Sequence, residues 1–310
     1  MLKTDKIFVA GGRGLVGSAI MRKLNTEGYN NLVAPTREEL DLENQNQVWS
    51  FFEKEKPDYV FLAAARVGGI KANNTLRADF IYNNLIIQTN AIDAAYRYGV
   101  KRFLFLGSSC IYPRDCPQPI REEYLLTAPL ELTNEPYAVA KIAGLKMCEA
   151  YNKQHSSDFI SVMPTNLYGA NDNFDLETAH VLPALMRKAH EAKFEGAKEL
   201  VVWGSGNPLR EFLHVDDLAS ACVFLIQQTG YTEMVNIGSG EEISIKNLAE
   251  LICRVVGFEG KLVFDASQPD GTPRKFLDIS RLSKLGWKPA IKLQDGLEST
   301  YQWFQENYHD

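Results

Sequence analysis

The sequence predicts an α/β protein with a Rossmann-type, doubly wound parallel sheet and a smaller C-terminal lobe. Short apolar runs alternate with amphipathic helical stretches in the first half, a glycine-rich turn follows the first run, and the pattern loosens after about residue 165. The 310 residues are about twice the usual length of one domain. We therefore divide the chain into a first domain, 1–165, and a lobe, 166–310, from which some segments return to the first domain.

The first half contains strands and helices in alternation. The apolar runs that predict buried strands are Ile7–Ala10, Leu32–Ala34, Tyr59–Ala64, Phe103–Gly107 and Phe159–Met163. The amphipathic stretches that predict helices lie near 15–27, 44–55, 78–98 and 137–153. This alternation implies parallel strands covered by helices on both faces. After the turn residues of 164–173, short strands such as Leu200–Trp203 are interleaved with helices.

Composition and charge exclude several classes of protein. Hydrophobic residues make up 45% and charged residues 23%, as in folded globular proteins. The 33 basic and 39 acidic residues give a net charge of −6, so we expect no nucleic-acid partner. No apolar run reaches about 18 residues, and Lys3, Thr4 and Asp5 precede the first one. We therefore expect no membrane span, no signal peptide and a cytoplasmic location.

The cysteines and histidines do not have the spacing of metal ligands. They form no CxxC, HxxH or HExxH pattern, and they are Cys110, Cys116, Cys148, Cys222, Cys253, His155, His180, His190, His214 and His309. We therefore expect neither a bound metal nor a disulfide framework. The functional question is whether one thiol is reactive.

A glycine-rich turn separates the first strand from the first helix. Its sequence is Gly11-Gly12-Arg13-Gly14-Leu15-Val16-Gly17. Without a Cβ, the backbone lets a pyrophosphate approach the helix N-terminus, where unpaired N–H groups favour negative charge. The turn therefore predicts a dinucleotide site, and the alternative is a tight turn that binds nothing.

Arg37 indicates which dinucleotide is bound. It follows the second predicted strand, where an acidic residue would bind the ribose diol of NAD. Since an arginine suits a 2′-phosphate, NADP is the expected cofactor of residues 1–165. Alternatively, Arg37 is a solvated helix-cap residue, because Glu38, Glu39 and Asp41 follow it closely.

Tyr137 and Lys141 lie four residues apart on one face of a predicted helix. Asn134 can cap this helix, and Pro136 suits its first turn. A neighbouring ammonium should lower the pKa of the Tyr137 phenol from about 10 and prepare it for proton transfer.

Ser108 lies just beyond the predicted strand Phe103–Gly107, at the sheet edge where doubly wound folds bind ligands. Its hydroxyl can donate to a substrate carbonyl oxygen beside Tyr137. Each of these motifs alone is common. Their joint order, from the glycine-rich turn through Ser108 to the Tyr137 and Lys141 pair, is not.

Further motifs accompany these residues along the chain. They are Ala63–Ile70, Gly107–Pro113, Asn134–Ala138, Met163–Gly169, Val202–Gly206 and Pro269–Lys275. With them the chain resembles, over nearly its whole length, the extended short-chain dehydrogenase/reductase family and its bifunctional GDP-sugar epimerase/reductases. The resemblance implies conversion of GDP-4-keto-6-deoxy-D-mannose to GDP-L-fucose, by epimerisation at C3 and C5 and hydride transfer from NADPH to C4. It also implies a homodimer packed through the helices near 78–98 and 137–153.

The resemblance assigns epimerisation to Cys110 and His180. Ser108 and Tyr137 at the C4 oxygen would stabilise an enolate, so protons at C3 and C5 become removable. A thiol and an imidazole both titrate near neutrality, which suits a base on one ring face and an acid on the other. Sugar-nucleotide dehydratases usually carry Asp-Glu at the positions of Ser109 and Cys110. The alternative makes Cys110 a small buried hydrophobe and His180 an ordinary polar helix residue.

The resemblance also assigns cofactor contacts. Asp41 and Leu42 should lie against adenine, and Lys141 should hold the nicotinamide ribose. The full expected set is Gly11, Gly12, Arg13, Gly14, Leu15, Val16, Gly17, Arg37, Asp41, Leu42, Leu106, Gly107, Ser108, Ser109, Lys141, Pro164, Thr165, Asn166, Leu167 and His180.

The same resemblance places the GDP-sugar against four residues of the C-terminal substrate-binding lobe. Lys188 and Arg210 would supply cations for the diphosphate, Trp203 an aromatic face, and Asp270 a further contact. The alternatives put Lys188 on a solvated helix face, Trp203 in the core, and Arg210 in an ion pair with Asp216 or Asp217.

Two rival functions differ in cofactor chemistry. A 4-epimerase or 4,6-dehydratase would retain bound NAD, against which Arg37 and Cys110 argue. A non-catalytic NADP sensor or scaffold would not need Ser108, Tyr137 and Lys141 together.

Overall fold

A computed structural model describes residues 1–268 and 270–308, and its first half alternates strands with helices. The elements are β1 (Ile7–Ala10), α1 (Leu15–Thr26), β2 (Leu32–Val33), α2 (Gln45–Glu55), β3 (Tyr59–Leu62), α3 (Ile70–Thr75), α4 (Arg77–Arg97), β4 (Arg102–Leu106), α5 (Glu135–His155) and β5 (Phe159–Pro164). Short 3-10 helices at Ser109–Ile111 and Glu122–Tyr124 lie between β4 and α5.

The second half has shorter strands. Its elements are β6 (Asn166–Tyr168), α6 (Val181–Phe194), β7 (Glu199–Trp203), β8 (Leu209–His214), α7 (Val215–Ile226), β9 (Val235–Ile237), β10 (Glu242–Ser244), α8 (Ile245–Val256), β11 (Lys261–Asp265), β12 (Arg274–Lys275), α9 (Ser280–Leu285) and α10 (Leu293–Asn307). Pro269 and His309 lie outside the described residues.

The central sheet is parallel and has the order β2-β1-β3-β4-β5-β9. Every residue of β1 and of β4 is buried, because helices cover both faces of the sheet. Helices α1 and α7 share one hydrophobic core with the sheet, and α2, α4 and α5 share another. The predicted doubly wound fold is confirmed.

The predicted element bounds agree with the structure to within a few residues, but the start of α5 differs. The helix begins at Glu135, and Pro136 occupies its first turn, where a missing N–H costs nothing. Asn134 stands at the N-cap, yet its side chain makes no capping hydrogen bond. The Glu131 carboxylate instead accepts the N–H groups of Thr133 and Asn134, at 3.1 and 3.2 Å. The predicted Asn134 cap is therefore wrong.

Segments of the second half also build on the central sheet. Strand β9 pairs with β5, with Val235 opposite Val162, and α7 packs on α1. Helices α6, α8 and α10 form a separate hydrophobic core beside the sheet β10-β8-β12 and the pair β11-β7, while Leu282 of α9 packs in the core of α1 and α7. The boundary at residue 165 stays a prediction.

The cysteines are all free, Cys110 half-buried and the other four buried. Within the part of the chain that the structure describes, no cluster of three or more His, Cys, Asp or Glu side chains could hold a metal ion. None of the described helices is long and apolar enough to cross a membrane.

Candidate active site

The glycine-rich turn leaves no room for side chains at its key positions. Gly11 has a φ of +81°, and a Cβ there would lie 2.9 Å from the Cα of Ala64, just beyond β3. A Cβ on Gly17 would lie 2.1 Å from the carbonyl oxygen of Gly11, so α1 packs directly on the turn. Gly12 similarly lies against Ala34, because a Cβ added to Gly12 would lie 2.6 Å from the Cβ of Ala34. Only backbone therefore fits at Gly11, Gly12 and Gly17.

The N-terminus of α1 fits a dinucleotide pyrophosphate. Gly14 is its N-cap and forms no side-chain capping bond, and the first turn contains no acidic residue. The first N–H groups of α1 and its positive dipole end therefore remain available to an anion. A bare backbone cradle before an uncapped helix is the arrangement that a pyrophosphate requires.

Arg37 lies in the turn after β2. Its side chain is 76% exposed and pairs with Glu43 at 2.8 Å. It is not a helix cap, because α2 begins at Gln45 and is capped by Asn44. The pKa of Glu38 is lowered, first by hydrogen bonds from its own backbone and from Thr36, and further by the positive charges of Arg13 and Arg37. Both guanidinium groups are therefore close enough to Glu38 to act on its carboxylate.

The other predicted cofactor residues lie at the carboxyl edge of the same sheet. Asp41 accepts the N–H of Glu43 at 3.0 Å, and the carbonyl oxygen of Leu42 accepts from Asn90 at 2.9 Å, which orders the segment before α2. Because parallel strands end at one edge, the last residues of β4 and β5 and the residues that follow them lie there too. They are Leu106, Gly107, Ser108, Ser109, Pro164, Thr165, Asn166 and Leu167.

Ser108 and Tyr137 meet where β4 ends and α5 begins. The Ser108 hydroxyl acts on the Tyr137 phenol, and the Ser108 Oγ accepts the N–H of Cys110 at 3.2 Å. Burial raises the pKa of Tyr137, as does the charge of the neighbouring Cys110, and the opposing effect of the Ser108 hydroxyl does not offset this. The phenol therefore stays protonated at neutral pH.

Lys141 does not act on Tyr137 as the sequence predicts. Its Nζ donates to the carbonyl oxygen of Leu106 at 2.8 Å and lies 5.8 Å from the centroid of the Tyr137 ring. Burial lowers the pKa of Lys141 to about 8. The expectation that Lys141 lowers the pKa of Tyr137 is wrong for this structure, because burial of the phenol dominates. The Tyr137 phenol therefore carries a proton that it could donate.

Cys110 differs from the other four cysteines. Burial by itself would raise the pKa of its thiol, but the charge of Lys275 and hydrogen bonds from Ser108 and Lys275 outweigh it, so the pKa is lowered. The Nζ of Lys275 lies 3.3 Å from the Cys110 Sγ. Burial raises the pKa of each of the other thiols, Cys116, Cys148, Cys222 and Cys253. Cys110 is therefore not an inert core residue.

His180 occupies the N-cap position of α6 rather than its interior. Part of its surface remains exposed, yet the surrounding protein lowers the pKa of the imidazole, and the charge of Lys275 lowers it further. The backbone N–H of Gly69 donates to the carbonyl oxygen of Thr178 at 3.0 Å. This bond holds the segment before His180 against the loop that follows β3.

Two of the predicted substrate residues contact each other. The Nζ of Lys188 lies 5.0 Å from the centroid of the Trp203 ring. Trp203 is 59% exposed and so is not a core residue. Lys188 is half-buried, and burial lowers its pKa. The two side chains therefore form one cationic and aromatic surface.

Asp270 and Arg210 lie beside this surface. Asp270 accepts the N–H and the hydroxyl of Ser205 at 2.6 and 2.8 Å. Burial lowers the pKa of Arg210, and the charge of Asp270 partly opposes this. The alternative ion pairs of Arg210 do not form, because Asp216 pairs with Arg22 and Asp217 accepts backbone N–H groups.

The sequence assigned no role to Lys275, although it ends the motif Pro269–Lys275. In the structure Lys275 influences both Cys110 and His180. Cys110 and Lys275 lie 165 residues apart in the sequence, so no local spacing could indicate their contact.

A dinucleotide cradle together with a serine, tyrosine and lysine cluster at one sheet edge defines a Rossmann-type dinucleotide-binding protein. Residues 7–238 match the model of the NAD dependent epimerase/dehydratase family, and the chain belongs to this family.

The chain is similar to named proteins over its full length. It is 66% identical over 305 residues to "Putative GDP-L-fucose synthase 2" of Arabidopsis thaliana, covering 98% of this chain and 93% of the relative. A solved GDP-L-fucose synthetase of Naegleria fowleri bound to NADP is 33% identical, with a TM-score of 0.91 and coverage of 99% and 96%. A GDP-6-OMe-4-keto-L-xylo-heptose reductase from C. jejuni is 39% identical, with a TM-score of 0.93 and coverage of 99% of both chains.

The tight packing at Gly17 predicts a difference between two glycine substitutions. Gly17→Ala should push α1 away from the turn and weaken NADP binding by about tenfold or more. Gly14→Ala is the matched control, because its Cβ would lie 3.6 Å from the nearest atom. Fluorescence titration with NADPH measures both, and thermal unfolding checks the fold. Equal affinities for the two variants would contradict the proposed cradle.

Proposed function

We propose that this chain is a bifunctional enzyme that converts GDP-4-keto-6-deoxy-D-mannose to GDP-L-fucose, by epimerisation at C3 and C5 and NADPH-dependent reduction at C4. The observation that carries the proposal is the cluster of Ser108, Tyr137 and Cys110, which offers two donors and an activated thiol within one site. The full-length similarity to proteins named GDP-L-fucose synthase and synthetase supports it.

NADPH is the cofactor we propose, bound by residues 1–165. The cradle of Gly11 to Gly17 would hold its pyrophosphate, and Arg13 and Arg37 its 2′-phosphate. Asp41 and Leu42 would contact the adenine, and Lys141 the ribose near the nicotinamide. When bound, this cofactor supplies the hydride that reduces C4. The remaining cofactor contacts come from the strand ends after β4 and β5.

Reduction needs a proton donor at the C4 oxygen. Tyr137 is protonated at neutral pH, because burial raises its pKa, and it can donate to that oxygen as the carbonyl becomes an alkoxide. Ser108 gives a second hydrogen bond to the same oxygen. Lys141 fixes the geometry through its bond to Leu106.

Epimerisation uses the same two donors. With the C4 oxygen held by Ser108 and Tyr137, removal of a proton from C3 or C5 places the electron pair of the C–H bond in an enolate. The Cys110 thiolate would accept that proton, and His180 would donate one to the opposite ring face. Ketone activation therefore serves all three chemical steps.

The C-terminal half would bind the GDP-sugar. Lys188 and Arg210 offer cations for the diphosphate within a chain of net charge −6. Trp203 presents an exposed ring, and Asp270 orders the turn that follows it. This arrangement supports an anionic sugar nucleotide as the substrate.

A second copy of the chain is the partner we propose. Helices α4 and α5 pack on each other and expose Tyr82 and Val139, at 61% and 40%. Exposed apolar side chains on adjacent helices support a homodimer through this face.

A GDP-sugar reductase without an epimerase step is the second candidate. The C. jejuni protein whose structure is similar to this chain is named a 4-keto-heptose reductase. The activated thiol of Cys110 favours the bifunctional enzyme, because reduction alone has no use for a base.

Arg37→Glu tests the cofactor. The substitution removes a cation and adds repulsion at the 2′-phosphate, so it should weaken NADPH by roughly 10- to 100-fold and leave NADH nearly unchanged. Michaelis constants for both cofactors measure this difference. An equal loss for both would show that Arg37 does not contact the phosphate.

Tyr137→Phe tests the reduction step. The ring is kept but the proton donor is lost, so turnover should fall by about 10² to 10⁴ while the fold and NADPH binding persist. Steady-state oxidation of NADPH with the 4-keto sugar measures turnover. Near-normal reduction by the variant would rule out Tyr137 as the acid.

Cys110→Ser tests the proposed function as a whole. Wild-type protein in deuterated water should oxidise NADPH stoichiometrically and yield GDP-L-fucose with deuterium at C3 and C5. The serine variant should incorporate little deuterium but still oxidise NADPH slowly to an unepimerised 6-deoxy sugar, because a hydroxyl is a far weaker base at neutral pH.

His180→Asn is the companion variant in that experiment. It should suppress completed inversion, while exchange on one ring face through Cys110 continues. Reduction by the wild type without deuterium incorporation would favour the second candidate. Binding of NADPH and the sugar without turnover would contradict both enzymatic functions.

A further inference from the structure

A short segment of the C-terminal half, residues 274–277, runs across the active site, and we refer to it as the strap. Arg274 and Lys275 form β12, which pairs in parallel with Leu209 and Arg210 of β8. Leu277 forms an isolated parallel bridge with Ile120, which belongs to the loop between β4 and α5. The strap therefore connects the substrate-binding lobe to the loop that follows Cys110.

Hydrogen bonds hold the strap on both sides of Lys275. Arg274 makes two bonds of 2.7 Å to the Glu242 carboxylate. On the other side, the carbonyl oxygen of Phe276 accepts the N–H of Ile120 at 2.7 Å, and the N–H of Phe276 donates to the Gln118 Oε1 at 2.9 Å.

Glu211 anchors the end of the strap. This fully buried carboxylate accepts the N–H of Leu277 at 3.2 Å and that of Gly240 at 2.9 Å. A buried carboxylate needs such partners, so the strap is a fixed part of the fold. Lys275 is thereby presented to the site from a rigid backbone.

The groups that face the Cys110 thiol come from three parts of the chain. Ser108 lies on the same turn, Tyr137 faces the thiol from α5, and Lys275 from the strap. Glu131, before α5, adds a negative charge that opposes ionisation. Lys275 also acts on His180, where a positive charge disfavours the imidazolium. The ammonium of Lys275, 3.3 Å from the sulfur, thus favours a thiolate at Cys110.

We propose that Lys275 is a positioning residue: its ammonium, held by the strap 3.3 Å from the Cys110 Sγ, stabilises the thiolate that takes the proton from carbon during epimerisation. This inference rests on the proposed function. The Cys110 thiolate takes the proton from carbon and becomes a neutral thiol, while the C–H electron pair enters the enolate. The His180 imidazolium then gives its proton to the opposite face and becomes neutral.

The test is the pH dependence of Cys110 alkylation by iodoacetamide in the full-length protein without substrate. Alkylation follows the thiolate fraction, and the variant Cys110→Ser identifies the signal of this thiol. The wild type should show an inflection below the ordinary thiol value of about 8.5. Lys275→Met should raise the inflection by about one pH unit or more and slow alkylation at pH 7 by roughly tenfold. Lys275→Arg should keep the wild-type inflection.

Several results would overturn the inference. If alkylation of Cys110 in the wild type shows its inflection at or above the ordinary thiol pKa, the inference is wrong whatever the variants show. Equal inflections in the wild type and in Lys275→Met would overturn it as well. Because alkylation requires no turnover, a wild type that fails to make GDP-L-fucose leaves this measurement intact, and an unshifted inflection leaves the proposed function standing.

Discussion

The buried hydrogen bond from Lys141 to the Leu106 carbonyl oxygen fixes the geometry on which the site depends. It joins the second turn of α5 to the last residue of β4. Tyr137, one turn earlier on the helix, is thereby placed near Ser108, just beyond the strand. A hydrogen bond to a charged group contributes about 1.5–3 kcal/mol, and an unpaired buried ammonium costs more than that. The helix therefore cannot shift along the sheet without leaving Lys141 unsatisfied.

The fold and much of the site follow from local patterns in the sequence. Apolar runs bounded by turns predict β1 to β5, and spacing places Tyr137 and Lys141 on one helix face. The pKa of Tyr137 depends on how deeply the phenol is buried and on which charges surround it, and neither is a local property of the sequence. The prediction from the Lys141 spacing therefore had the wrong direction. Likewise, the pairing of β9 with β5 and the contact of Lys275 with Cys110 arise from tertiary packing over long separations.

The protein has a net negative charge, but its functional cations lie in local groups. The chain has a net charge of −6, yet Arg13 and Arg37 lie near Glu38, Lys188 and Arg210 lie in the C-terminal half, and Lys275 lies beside Cys110. These groups suit, respectively, a 2′-phosphate, a diphosphate and a thiolate. Under the proposed function, these separate cations would bind two anionic ligands and stabilise a thiolate base.

The central claim is that one ketone site serves both proton transfer at carbon and reduction. A crystal structure of the protein with NADP⁺ and GDP-L-fucose tests it most directly. We expect the C4 oxygen of the sugar within roughly 2.6–3.2 Å of both the Ser108 and Tyr137 oxygens, with Cys110 and His180 on opposite faces of the ring. A C4 oxygen bound elsewhere, or Cys110 and His180 on the same face, would contradict the account.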